Sequence, residues 1–447
     1  MAKRKLAWYS LSGLLVMAWQ LFAGAVPALA DREFSQCGGT IGLEGQPRGR
    51  AYLVTFDERA NKYVVARDLG PDTKCRQLAG YSSGLTQRSS LYLSSARANV
   101  VPLFDGRTVV LPSPAYTSAL YLRDAFYTLI GLGDGVLSAE LHRWFEAALN
   151  KATGEVPGAV ALVPWEPLSA PVDDETNLLF IVWAGIVKRQ GGAPSNAALE
   201  AAYGYVQAHV RDGRYVSPAG PFRYWADTVL VDADETIAYN QGLYVVALRF
   251  LKEIGVGNVS NETIAEAVAA YRAIYRADLG YLPLGANNTS LDGSALFPEF
   301  LHRYFFSQPL LGDHQVLTTV DYHLAKAAVH DDDGTLAGVK IIARPNGDFL
   351  RTDKFSVLPL ASPGDYQNGG YWPLFTQVNL ALAYSINGDD RNRKAMEELA
   401  MTELANGLAK EYLQTNPGRM GFAHELRQPH AWNVLVVTAW RWAGLVP

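Results

Sequence analysis

The sequence predicts an all-α protein: an (α/α)6 barrel of helical hairpins behind a small, partly β N-terminal extension. Three observations predict it. From Ala115 onward, apolar residues recur at three- and four-residue spacing in about eleven segments. Those segments alternate between runs that are apolar all round, such as Leu178 to Ile186, Tyr244 to Leu251 and Val434 to Trp442, and amphipathic ones, such as Ala197 to Val210 and Asn392 to Leu408. A helix that is apolar all round is buried and an amphipathic one lies on the surface. Lastly, polar residues gather just ahead of the all-apolar segments, where chain ends of inner helices would meet.

The elements follow in order. Residues 1–30 read as a signal peptide. Lys3, Arg4 and Lys5 form a basic start, Leu6 to Val26 is mostly apolar, and Ala28-Leu29-Ala30 supplies a small-residue cleavage site before Asp31. The rival reading is a retained anchor, because the apolar run is long. Cleavage implies a periplasmic or secreted protein with no membrane partner. Residues 31–112 form the extension: Ala51 to Phe56 and Lys62 to Ala66 read as strands, and Gly and Pro interrupt the rest. Its two cysteines, Cys37 and Cys75, are expected to pair as a disulfide in an exported chain. Residues 113–447 form the barrel. Its helices are expected to begin near Ala115, Ser138, Asp174, Ser195, Glu235, Asn261, Gly293, His314, Gly370, Arg391 and His430.

Composition narrows the function. The chain of 447 residues carries a net charge of −5, with no basic stripe, so nucleic acid is not an expected partner. Aromatic residues make up 11%, with Trp and Tyr prominent. Core packing must claim most of these rings. The polar clusters ahead of the inner helices are Arg123-Asp124, Asp173-Asp174-Glu175, Trp225 with Asp227, Asp234-Glu235, Gln367-Asn368 and His430. N-capping explains Asp174, Asp234 and Asp124. It does not call for Trp225, Tyr371 and Trp372 alongside. Carboxylates and amides that hold hydroxyls, beside aromatic planes that stack on C–H faces, suit a carbohydrate substrate. His314, His323 and His330 lack the spacing of a zinc site, Asp331-Asp332-Asp333-Gly334 reads as a solvated turn rather than a calcium loop, and no phosphate-binding loop is present, so neither metal nor cofactor is expected.

Several strings resemble the six-hairpin glycosidases, especially the glucosidase domain of glycogen-debranching enzymes and the processing-glucosidase and mannosylglycerate-hydrolase families. Tyr121-Leu122-Arg123-Asp124-Ala125-Phe126 is similar to their Arg-Asp-x-Phe element. Val172 to Phe180 is similar to their Val-Asp-x-Thr-Leu-x-Phe helix start, Trp225-Ala226-Asp227 to their Trp-x-Asp, and Tyr239 to Leu243 to the Tyr-Asn-Ala-Leu that follows. Tyr366-Gln367-Asn368-Gly369-Gly370-Tyr371-Trp372-Pro373 is similar to their Tyr-His-Asn-Gly-x-x-Trp-Pro, with Gln367 where the family has His.

The resemblance implies a glycoside hydrolase using a carboxyl pair, mostly with inversion, on an α-glucoside or short oligosaccharide. It makes Asp227 the general acid. The base is Glu411, in Lys410-Glu411-Tyr412, or alternatively Glu425, in Gly421-Phe422-Ala423-His424-Glu425. Arg123, Asp124, Asp174, Trp225, Gln367, Asn368 and Trp372 are the expected substrate-binding residues. A disaccharide phosphorylase of the same fold and a non-catalytic sugar-binding protein are the alternatives.

Overall fold

The structure, a computed structural model, describes residues 32–36, 50–57, 62–71, 84–103, 105–162, 174–330, 334–403, 409–415 and 429–447. The signal segment, Cys37, Cys75, Asp173, Asp331 to Asp333 and Glu425 lie outside the described residues. Three antiparallel strands open the chain: β1 (Arg32–Gln36), β2 (Arg50–Asp57) and β3 (Lys62–Pro71), with β2 in the middle. The described α-helices are α1 (Leu85–Ala98), α2 (Leu122–Leu132), α3 (Gly135–Ala148), α4 (Thr176–Arg189), α5 (Asn196–Gln207), α6 (Ala238–Ile254), α7 (Asn261–Ile274), α8 (Phe297–Phe306), α9 (Asp313–Ala327), α10 (Pro373–Asn387), α11 (Asp390–Glu403) and α12 (Leu435–Trp442).

The even-numbered helices form a closed inner ring. Each packs on the next, and α12 packs back on α2. The odd-numbered helices lie outside them. Burial follows the sequence pattern. On α4 every residue from Thr176 to Val187 is buried, whereas α5 buries only Leu199, Ala202, Tyr203 and Val206, the stripe of a surface helix. Asp134, Ser195 and Ser260 cap α3, α5 and α7 by accepting from backbone N–H groups in the first turn. Small residues set the inner spacing. A Cβ on Gly185 of α4 would overlap the Phe250 ring of α6, and one on Gly131 of α2 would overlap Val434, just ahead of α12, where the ring closes.

Two expectations need correction. Helix α1 falls inside the segment read as a partly β extension, yet it packs on α11, α12 and α2 and belongs to the outer ring. Its buried face is Leu85, Arg88, Ser89, Tyr92, Ser95 and Ala96, too polar to give an apolar period. The next helix also starts later than Ala115. Residues Ala119–Tyr121 first pair with Ala159–Ala161 as a short antiparallel ladder, and Leu122 opens α2. The other ten expected starts fall within about five residues of those observed.

The segments leading into the inner helices meet at one end of the ring. Arg123 reaches Glu175 and the carbonyl of Trp225, Gln367 reaches Asp227, and His430 reaches Asp124. The carboxyl groups of Asp124, Glu175, Asp227 and Glu411 gather at this end, the crater end of the ring.

Candidate active site

Asp227 sits in a loop between Gly220 and Val231, which are bridged to each other in antiparallel fashion. Inside that bridge the Phe222 N–H donates to the Asp227 carbonyl at 2.9 Å. The carboxyl is oriented by Gln367, whose Nε2 donates to Asp227 Oδ1 at 2.9 Å. Gln367 is itself fixed, because its Oε1 accepts from the N–H and hydroxyl of Thr228 at 2.9 and 2.5 Å. The carbonyl oxygen of a protonated carboxyl is its better acceptor, so the amide bond to Oδ1 favours a proton on Oδ2.

Below the loop, Arg123 pairs with Glu175 and donates from Nη1 to the Trp225 carbonyl at 2.9 Å. Glu175 is buried, and desolvation pushes its pKa up against the pull of Arg123. Asp174 is also pushed up by burial, offset by Arg223, whose Nη1 lies 3.2 Å from its Oδ1.

Glu411 lies on a short stretch pinned to the Asp365–Tyr371 loop. Tyr371 and Leu413 exchange two backbone hydrogen bonds of 2.7 and 2.8 Å, and the Tyr412 hydroxyl donates to Asp365 at 3.0 Å. His430 stands between two carboxyl groups, with Nε2 3.7 Å from Asp124 and 3.9 Å from Glu411. Burial raises the Asp124 pKa to about 7, with Arg123 opposing and the Glu411 charge adding to the rise. A carboxyl that keeps its proton near neutrality can donate a hydrogen bond to a hydroxyl.

The structure thus brings Arg123, Asp124, Asp227, Gln367 and Glu411 to one end of the ring, and Asp174 joins through Arg223. Four expected substrate contacts are buried and engaged within the protein: Trp225, Trp372, Asn368 and Gln367, the last already bonded to Thr228 and Asp227. Trp225 and Trp372 are 0% and 1% exposed, which leaves neither a face for a sugar. Their rings meet edge to face at 4.9 Å, and Trp372 stacks on Tyr412 at 5.4 Å. They form an aromatic slab beneath the crater that ties the Asp227 loop to the Glu411 segment. Asn368 is buried too, its amide closing the loops around Leu350 and Ala361.

Sequence reasoning left Glu175 and His430 without individual roles, although both lie in the polar clusters it marked. It passed over Phe222 and gave no role to Tyr366, the first residue of the Tyr366–Pro373 string, although both are strained. Among the described residues, six non-glycine residues have positive φ. Asp212, Asp234, Asn258 and Ser307 are polar turn types, but Phe222 and Tyr366 have φ of 60° and 37°. Each such residue stores about 1–3 kcal/mol, held in place by its surroundings, and strain of this kind gathers at functional sites. Both aromatics flank Asp227, one bonded to its carbonyl and one adjacent to Gln367.

No known family model matches the sequence, and no curated protein does. Solved structures do match in fold. A protein described as a glycosidase superposes with a TM-score of 0.56 at 16% identity over 85% of this chain and 100% of its own, and so does a variant of it in complex with glucose. A bacterial glucoamylase complexed with acarbose matches with a TM-score of 0.52 at 12% identity, over 83% of this chain and 56% of its own. A GH63 mannosylglycerate hydrolase from Thermus thermophilus in complex with glucose matches at 0.50 and 9% identity, over 79% and 99%. The chain has the six-hairpin fold that these proteins share.

Proposed function

We propose that a chain with this fold and this crater is a glycoside hydrolase, exported with residues 1–30 removed, that cleaves an α-glucoside or short oligosaccharide with inversion. One observation carries the reading. A hydrogen-bonded carboxyl, Asp227, and a second carboxyl, Glu411, stand on separate loops that a single aromatic slab, Trp225–Trp372–Tyr412, holds together.

Asp227 is the acid. As the bond from the anomeric carbon to the leaving oxygen breaks, Oδ2 gives its proton to that oxygen. Glu411 is the base. It takes a proton from a water whose oxygen attacks the anomeric carbon from the opposite face, so the products are two free sugars with one anomeric centre inverted. For this the two carboxyl groups should stand about 6.5–9.5 Å apart once substrate is bound. Arg123, through the Trp225 carbonyl, and Gln367 hold the acid in position. Asp124, kept protonated by burial, donates to a substrate hydroxyl. Cys37 and Cys75 pair as a disulfide in the extension.

The test is to incubate the purified mature protein with a panel of α- and β-linked disaccharides, with and without phosphate, and to follow the first product anomer by NMR. Hydrolysis of an α-linkage releasing the β-anomer, at a rate indifferent to phosphate, is expected. A phosphorylated product, or no turnover of any sugar, contradicts the reading.

A further inference from the structure

We infer that Phe222 is a substrate-contacting residue whose ring stacks on the departing sugar beside Asp227; this rests on the hydrolase reading above. Its backbone lies in the left-handed region, which a bulky L-residue adopts only under constraint. The constraint is visible on both sides. The Gly220–Val231 bridge closes the loop, Arg223 is held by Asp174 and Ala219, and Asn240 donates to the Arg223 carbonyl at 2.6 Å. Glycine or asparagine would suit this φ better. Packing does not explain the phenylalanine. Its ring is half-buried, stands outside the apolar core and, among the described residues, stacks on no other ring. Tyr366, the other strained aromatic, differs: its ring packs against Trp372 and Tyr412.

Chemistry supplies a use for the ring. With Trp225 and Trp372 buried, the crater needs another apolar face for a sugar. Phe222 donates to the carbonyl of the residue that protonates the leaving oxygen. On the hydrolase reading, a ring carried on this loop is within reach of the sugar that departs.

Phe222→Gly and Phe222→Tyr test this, each assayed on the disaccharide that the wild type cleaves and on the matching glycosyl fluoride, with melting temperatures alongside. The glycine variant is expected to lose about tenfold in kcat/KM on the disaccharide, the size of one aromatic stacking contact. On the fluoride, which has no departing sugar, it should lose less than about twofold by the same reasoning. Its melting temperature should hold or rise, because glycine relieves the φ strain, and Phe222→Tyr should keep activity. Equal loss on both substrates, unchanged disaccharide kinetics, or a fall in melting temperature with the activity loss overturns the inference. A wild type that cleaves no glycoside overturns the hydrolase reading instead.

Discussion

The two sides of the crater are built differently. The Asp227 carboxyl is oriented by a neutral amide, Gln367, and its loop by backbone bonds, the Phe222 N–H on its carbonyl and the Trp225 carbonyl on Arg123, with the Arg123–Glu175 pair close by. Glu411 stands in a charge cluster, facing Asp124 across His430. Hydrogen bonds to a fixed amide do not change with pH near neutrality, whereas carboxyl groups that face each other titrate together. The acid side should therefore control the rate through geometry, and the Glu411 side should control its pH dependence.

The largest effect should come from the carboxyl pair. Asp227→Asn and Glu411→Gln should each lower disaccharide kcat by ~10²–10⁴, the usual worth of general acid or base catalysis, with the fold intact by circular dichroism. Near-normal turnover of either variant breaks the comparison at its root.

Next is the slab beneath. Trp372→Ala should lower stability by about 3–5 kcal/mol as a large buried ring is removed, read as a shift in denaturant midpoint. A variant of wild-type stability with a raised KM alone would return Trp372 to the substrate surface.

Asp124→Asn sharpens the pH contrast. The folded pKa of about 7 lies above the ordinary 3.8. The folded state thus binds more protons between about pH 4 and 7, and stability falls as pH rises through that window. Replacing the carboxyl should raise the melting temperature above pH 7, by about 1 °C for each ~1 kcal/mol recovered in a chain of this length, and change nothing below about pH 4. It should also move the pH profile of kcat/KM, which Gln367→Ala should leave in place while lowering the rate. A pH shift from Gln367→Ala and none from Asp124→Asn would reverse the assignment of the two sides.

The smallest effect belongs to the extension. Mild reduction should lower the melting temperature through Cys37 and Cys75 and leave low-temperature turnover unchanged, as checked by thiol titration of the native protein. Loss of activity without unfolding would place the extension in the crater's chemistry.

The ring of helices was legible because inner and outer helices differ in composition. Leu178 to Ile186 is apolar on every face, while the α5 segment carries only a stripe. Helix α1 was not legible, since Arg88, Ser89 and Ser95 are buried against neighbours far along the chain. In the site, the polar clusters and the resemblance pointed to Asp227, Glu411, Arg123, Asp124 and Gln367, which the structure gathers at one end of the ring. The burial of Trp225 and Trp372 could not, because a Trp beside an Asp looks the same whether its face meets a sugar or another ring. The strain at Phe222 and Tyr366 was hidden for a different reason: it lies in a backbone angle set by the Gly220–Val231 bridge and by the Asp365 loop, and no local residue choice announces it.

The division of labour is tested most directly by one rate ratio: turnover of a glycosyl fluoride by Asp227→Asn against that by Glu411→Gln. Fluoride leaves with little protonation but still needs an activated water. The Asp227 variant should keep most of its fluoride turnover and the Glu411 variant should lose it. Equal losses, or a fluoride defect confined to the Asp227 variant, would contradict the account.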